Sequence, residues 1–358
     1  MDSAPHSRMS RWYNIVFARV LLQDTCMEEP EEEEEQEEPA QSTASGAASS
    51  VAPRSMEAVI QYLDSQKIPH HGLISLGGSS AHHYTDLNGL RGIVEEDDLW
   101  LTKAEYSNDE DEMTHGYEIA RRVINEEKKK AAEVQEHLYL DHLTRLIHNS
   151  SAEVLERYVC CFCMKGDLLS QWRGYGAYGT GVDLEIDIMG FSDLTANCSC
   201  GSLYYWKVRY KDTEKEQRVK EIVDHFRSTA QENAGHAEER AGQAAAAIQF
   251  FIPTFKDERF EEETEWRLIF APSLQHAVNE RVLKLEFRVS RNLLVPYYRL
   301  RSLIPASAEP VAKPWLRINK VTVGPNPNKD LIKQSVRMLL SQNGHAPNVE
   351  VSRVPFRG

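Results

Sequence analysis

Strand patterns recur along this chain without taking regular turns with helices. Tyr158-Val159-Cys160-Cys161-Phe162-Cys163 is an aromatic, β-branched and cysteine run of buried-strand length. Val182-Asp183-Leu184-Glu185-Ile186-Asp187 alternates apolar and acidic residues strictly, which marks a strand with one wet or pocket-facing side. Leu203 to Tyr210, Trp266 to Ala271, Val282 to Phe287, part of Val311 to Val323, and Val349 to Val354 read as further strands. Helical periodicity comes in long blocks instead, at about 112–149 and 214–251, with shorter helices at 55–66 and 328–343. Such interspersal predicts an α+β fold, a mixed and mainly antiparallel sheet with helical insertions, rather than a doubly wound one. No glycine-rich phosphate loop follows a strand at the required spacing.

The densest unit is Ser79 to Asn108, preceded by a strand and turn at Gly72 to Gly78. A short strand ends in His82-His83-Tyr84-Thr85, where apolar residues would be the ordinary choice. Asp86 or Asn88 then caps a helix carrying Leu87, Leu90, Ile93 and Val94 at helical spacing. Leu99-Trp100-Leu101 reads as a second strand, ending in polar Thr102-Lys103. Within 112–149 the run Glu126 to Lys130 reads as a solvated helix face.

Charge bounds the partners. The 358 residues carry a net charge of −14, which argues against a dedicated nucleic-acid binder with its basic face. Nine of the 55 acidic residues crowd into Glu28 to Glu38, a self-repelling block expected to be disordered. Pro39 to Pro53, rich in Ala, Ser and Gly, reads as a flexible linker. The expected division is therefore an acidic extension and linker at 1–54 and one domain at 55–358, with Met56 as a candidate start. No apolar run reaches membrane-spanning length, and Trp12 to Leu22 is interrupted by Arg19 without a cleavage site after it. A cytoplasmic location with free thiols is the resulting expectation.

Three constellations carry candidate chemistry, each with a plainer reading beside it. His82, His83, Tyr84 and Thr85 place imidazole and hydroxyl groups where they hydrogen-bond sugar hydroxyls or an amide, or else form a structural pair on backbone. Glu263 and Glu265 lie two apart, so at a strand entrance both carboxylates face one side, suited to hydroxyl polarisation or proton abstraction. Arg267 shares that side, and a simple ion-pair cluster is the alternative. The glycine-aromatic loop at Gln171-Trp172-Arg173-Gly174-Tyr175-Gly176 either stacks on a planar ring and clamps an anion or plugs a core edge. Cys160-x-x-Cys163 with Cys198-x-Cys200 has an atypical spacing for zinc, and buried thiols are favoured, so no metal is expected.

HYTDLNGLRGI, LWLT with the following ND, CFC with LLSQWRGYG and GTGVDLEI, KDERFEEETEWRL, VGPNPN and VSRVPFR together resemble the bacterial domain-of-unknown-function 2971 family (DUF2971), over roughly residues 75 to 358. A more distant resemblance is to ADP-ribosyltransferase-type domains, through the His-x-Thr strand, its following helix and second strand, and a late Glu-x-Glu. That resemblance implies a split sheet and NAD as co-substrate. It implies that His83 holds a ribose with Thr85 in support and Tyr84 beside it, and that Tyr175 stacks on nicotinamide, with Trp172 as a further cofactor-binding residue. It makes Glu265 the catalytic carboxylate, with Glu263 orienting an acceptor. The middle-strand Ser/Tyr motif of such domains has only Thr102 and Tyr106 as candidates here.

The expected function is an NAD-dependent ADP-ribosyltransferase or NAD glycohydrolase-like enzyme that binds a nucleotide and acts on a protein or nucleic-acid acceptor. The alternatives are a non-catalytic sensing or protein-interaction module, and a metal-dependent hydrolase or nuclease built on Asp183, Glu185 and Asp187.

Overall fold

The computed structural model describes residue 62 and residues 80–106, 112–149, 156–188, 201–231, 236–272, 283–290, 292–303 and 314–355. All of them belong to a compact unit spanning Ala47–Gly358. The acidic extension, the candidate start at Met56, the strand at 72–78, the Cys198-x-Cys200 pair and, apart from Tyr62, the helix at 55–66 lie outside the described residues.

The chain runs through β1 (Ser80–Thr85), α1 (Leu87–Glu96), β2 (Trp100–Lys103), α2 (Glu112–Lys130), α3 (Val134–Asn149) and β3 (Tyr158–Cys163). It continues with α4 (Leu169–Gly174), β4 (Val182–Asp187), β5 (Gly201–Lys207), α5 (Asp212–Gln231), α6 (Ala237–Phe251) and β6 (Glu265–Pro272). β7 (Glu286–Ser290), β8 (Leu293–Arg299), β9 (Ile318–Val323), α7 (Lys329–Gln342) and β10 (Asn348–Val351) complete it. This is an α+β fold with a mixed, mainly antiparallel sheet. The strand order is β10-β9-β4-β1-β3-β2-β8-β7, with β6 on β3 and β5 on β6; β10 and β9 pair in parallel.

β1, α1 and β2 form as their residues dictate. The Asp86 carboxylate accepts the Gly89 N–H at 2.6 Å, capping α1, while Leu90, Ile93 and Val94 bury its inner face. Asp97 ends the helix in the left-handed region at φ 53°, and its carboxylate accepts the N–H groups of Trp315 and Leu316.

β3 organises the sheet. β6 pairs with it along its whole length, from Tyr158↔Phe270 to Cys163↔Glu265. Its other edge is shared: β2 takes Tyr158 and Val159, and β1 joins only at His82↔Cys163. β1 and β2 therefore diverge along that edge. Residues on one face of the sheet, among them Val159, Tyr204, Trp206 and Ile269, pack on the large helical layer of α2, α3, α5 and α6. Residues on the other, including Cys160, Phe162, Tyr205 and Leu268, pack on α1 and α7. Tyr84, Cys163 and Trp172 make a third, small cluster.

Several local expectations change. The helical block at 112–149 breaks at 131–133 into α2 and α3, and the block at 214–251 becomes α5 and α6. Glu127, expected on a solvated face, is 3% exposed and bound by Lys130 at 2.9 Å and Arg227 at 3.1 Å, because α5 packs over that side of α2. The strand expected at 282–287 lies at β7 instead, paired with β8, a strand whose Pro296 interrupts its sequence signal. The glycine-aromatic loop is the helical turn α4 followed by a 3-10 turn at Ala177–Gly179.

Candidate functional site

The divergence of β1 from β3 leaves a cleft whose walls come from three distant parts of the chain. β1 contributes His82, His83 and Tyr84, β3 contributes Cys161, Phe162 and Cys163, and α4 with the turn after it contributes Gln171 and Tyr175. Glu263 and Glu265 close the far wall. The cleft holds about 70 Å³ of water-accessible space. One water needs roughly 10–15 Å³ on that measure, so a single ring-sized group fits, and a larger ligand would extend through the mouth.

The imidazole of His83 is fixed by backbone. Its Nδ1 lies 3.0 Å from the carbonyl oxygen of Cys161, on the edge of β3 that β1 leaves unpaired. A carbonyl only accepts, so Nδ1 carries the proton and Nε2 keeps its lone pair. Desolvation lowers the His83 pKa, holding the ring neutral. His82 is oriented differently: its Nδ1 lies 2.9 Å from a carboxylate oxygen of Asp183, which is 1% exposed. A Cβ at Gly166 would stand 2.4 Å from the His82 ring, so the turn after β3 needs glycine to pass there.

The two glutamates meet on one lysine. Glu263 ends a 3-10 helix at Glu258–Glu263, and Glu265 begins β6. Between them Thr264 takes the left-handed conformation at φ 43°, a strained choice for a β-branched residue. That turn, rather than strand alternation, aims both carboxylates at Lys256, whose Nζ donates to Glu263 at 2.6 Å and to Glu265 at 2.8 Å.

Their remaining partners separate them. Glu265 also accepts Nε and Nη2 of Arg267 at 2.8 and 3.0 Å and the thiol of Cys161. Four donors fill the accepting capacity of a carboxylate. Glu265, 5% exposed, has its pKa lowered against the desolvation of burial by Arg267 and Lys256. Glu263 accepts one donor on each oxygen, Lys256 on one and the Tyr175 hydroxyl at 3.2 Å on the other. Half its accepting capacity remains, and desolvation, with Glu265 adding to it, raises its pKa. Two carboxylates two residues apart thus have pKa values pushed in opposite directions, the environment pattern that separates a proton-transfer group from a fixed anion.

The expected site residues divide cleanly. His83, Tyr84, Tyr175, Glu263 and Glu265 share the cleft. Tyr84 spends its hydroxyl on structure, donating to the Lys165 carbonyl and accepting the Leu168 N–H. Thr85 pairs with Val182 on β4 and stands outside the lining. Trp172 is fully buried, edge-on to Tyr84 with its Nε1 donating to Asp167 at 2.8 Å, so it braces the wall from behind. Lys256, Cys161 and Gln171 were not expected in these roles. Lys256 sits in the aperiodic segment PTFKDERF, Cys161 reads as a buried-strand thiol, and Gln171 is overshadowed by the aromatics beside it. The acidic residues of β4 are committed separately: Asp183 to His82, Glu185 to Lys320 at 3.1 Å, and Asp187 to Arg317. Among the described residues no group of three or more His, Cys, Asp or Glu is arranged to hold a metal. No described helix is long and apolar enough to cross a membrane.

Residues 171–268 match the family model described as "Protein of unknown function (DUF2971)". The matched segment begins at Gln171 and runs through Tyr175, Glu263 and Glu265 to β6, so it contains one wall of the cleft. No curated protein and no solved structure matches the chain.

Proposed function

We propose that this member of the DUF2971 family binds the nicotinamide-ribose end of NAD in the cleft between β1 and β3, and that it is an NAD-dependent ADP-ribosyltransferase or NAD glycohydrolase. The observation that carries the reading is the meeting of His83 with Glu263 and Glu265, about 180 residues later, across one ring-sized cleft. With Nδ1 of His83 committed to the Cys161 carbonyl, Nε2 is the ring nitrogen left to accept a hydrogen bond from a ribose hydroxyl in the cleft that His83 lines.

The roles of the carboxylates follow from their surroundings. In the proposed step the bond between the ribose carbon and the nicotinamide nitrogen breaks, and its electron pair neutralises the pyridinium. Positive charge develops on the sugar carbon, which anionic Glu265 stabilises electrostatically. Water or an acceptor hydroxyl forms the new bond to that carbon, and its proton passes to Glu263, whose raised pKa and spare lone pairs suit a base. This exchanges the roles that the family resemblance implies for the two residues, because Arg267, Lys256 and Cys161 leave Glu265 no free lone pair.

A shared cleft with oriented polar groups supports an enzyme over a pure interaction module, and the separately paired carboxylates of β4 give the metal-hydrolase reading no support. The test is incubation with NAD, with and without candidate protein and nucleic-acid acceptors, followed by measurement of free nicotinamide. The wild-type chain is expected to release nicotinamide and Glu263→Gln to lose that release. Absence of both release and transfer in the wild type across broad conditions overturns the reading.

A further inference from the structure

Nine of the ten side chains lining the cleft are already engaged in contacts with the protein. Gln171 is the exception. The residue is 5% exposed and lines the cleft, and among the described residues its carboxamide makes no hydrogen bond. Its amide atoms are not among the described polar atoms shut off from solvent without a partner, so they are open to a polar ligand group that enters the cleft.

The helical turn holds Gln171 firmly. Its own carbonyl accepts the N–H groups of both Tyr175 and Gly176 at 2.9 Å. The next residue, Trp172, is locked in the small core cluster behind the wall. Gly176 allows that packing, since a Cβ there would lie 2.5 Å from the Trp172 ring. Gln171 and Tyr175, four apart on one helical face, are presented to the cleft together.

A glutamine amide offers two donors and one acceptor in a plane. Its full complement is another planar group with a carbonyl and an NH₂. The neighbouring walls include the rings of Phe162 and Tyr175, which suit a flat aromatic body. Resting on the NAD reading of the cleft, we propose that Gln171 is the specificity-determining residue that recognises the carboxamide of the nicotinamide ring. It is a positioning residue: it holds the leaving group and takes no part in proton transfer.

The test compares nicotinamide with nicotinic acid, which replaces the carboxamide by a carboxylate, by ligand-observed NMR titration on the full chain. The wild type is expected to bind nicotinamide at least about tenfold more tightly than nicotinic acid, the ratio of one well-made hydrogen bond. Gln171→Met, of similar length and without donors, should lose that preference. Its melting temperature should hold or rise, because a structurally important glutamine would lower it on removal while an unpaired one would not. Gln171→Glu keeps the shape and loses the donors, and it serves as the second variant if the methionine protein fails to fold. An unchanged preference in a folded variant overturns the role of Gln171; if the wild type still releases nicotinamide from NAD, the NAD reading stands without it. A preference abolished by the substitution, in a wild type that never cleaves NAD, supports the carboxamide site and removes the enzymatic reading. Failure of the wild type to bind nicotinamide at all overturns the role of Gln171, and the NAD reading falls with it only if release of nicotinamide from NAD is absent as well.

Discussion

The turn at Glu263-Thr264-Glu265 joins two regions that treat the same side chain in opposite ways. On its strand side, β6 holds Glu265 against Arg267 in a bidentate pair and under the Cys161 thiol. On its helical side, the 3-10 turn leaves Glu263 with Lys256 and a single tyrosine hydroxyl. Both carboxylates are buried, at 8% and 5% exposure, so burial alone does not distinguish them. The number of donors does. Where four donors surround a carboxylate, the charge is a fixed part of the fold; where two do, a proton has room to come and go.

The comparison predicts that stability and activity separate along the turn. The largest stability loss should come from Arg267→Ala, which leaves buried Glu265 with only the Cys161 thiol and a lysine shared with Glu263. Loss of one partner from a buried pair costs about 3–5 kcal/mol, read by urea denaturation. An unchanged midpoint would mean that Lys256 alone suffices for Glu265 and that the two regions are alike. Glu263→Gln comes next, and its effect should fall on chemistry: a loss of roughly 10²–10⁴-fold in nicotinamide release, as for removal of a general base, with denaturation shifted far less than in Arg267→Ala. Equal stability losses in the two variants would erase the distinction.

The pH dependence sharpens the same contrast. Glu265 has a lowered folded pKa, so its contribution is present above the unfolded carboxylate range and is lost as pH falls through the folded value. Glu263 has a raised one, so its protonated form stabilises the fold at acid pH and that contribution disappears as pH rises through the folded value. Unfolding free energies measured upward from the ordinary glutamate pKa of about 4.3 should therefore fall less steeply with pH in Glu263→Gln than in the wild type. A slope identical in both would place the titration elsewhere. The smallest effect belongs to Tyr175→Phe, which removes one hydrogen bond worth about 0.5–1.5 kcal/mol. The Tyr175 hydroxyl helps lower the Glu263 pKa, so its removal should move the acid limb of the activity profile to higher pH. A shift to lower pH would contradict the assigned hydrogen bond.

Trp172 and Gln171 show where reading the sequence succeeds and where it stops. The fragment QWRGYG stands out for its aromatics and glycines, and reads either as a loop that stacks on a planar ring or as a plug for a core edge. In the fold Trp172 faces away from the cleft, and the less conspicuous Gln171 lines it. Which of two adjacent residues points inward depends on the rotation of a six-residue helical turn, and that rotation is set by Tyr84, Asp167 and Gly176 packing on the indole. Tyr84 is far away in the chain, and nothing in the sequence shows that Asp167 and Gly176, though near Trp172, pack on its indole. Lys256 is hidden for a related reason: a single buried lysine has no periodicity, and only its two glutamate partners give it meaning.

The sequence by itself determined the local elements that matter most. A cap at Asp86 or Asn88 starts α1, alternation defines β4, and the unusual polarity of β1 singles out His82 to Thr85. These are short-range effects of capping, side-chain period and solvation, written in neighbouring residues. The tertiary structure decided the site. Only the divergence of β1 from β3 opens a cleft beside His83, and only the left-handed turn at Thr264 brings Glu263 and Glu265 to one lysine. Which carboxylate is a fixed anion and which can exchange a proton is set by the donors that reach each one. Those donors come from strands and turns far apart in the chain, so the physical reason lies in packing.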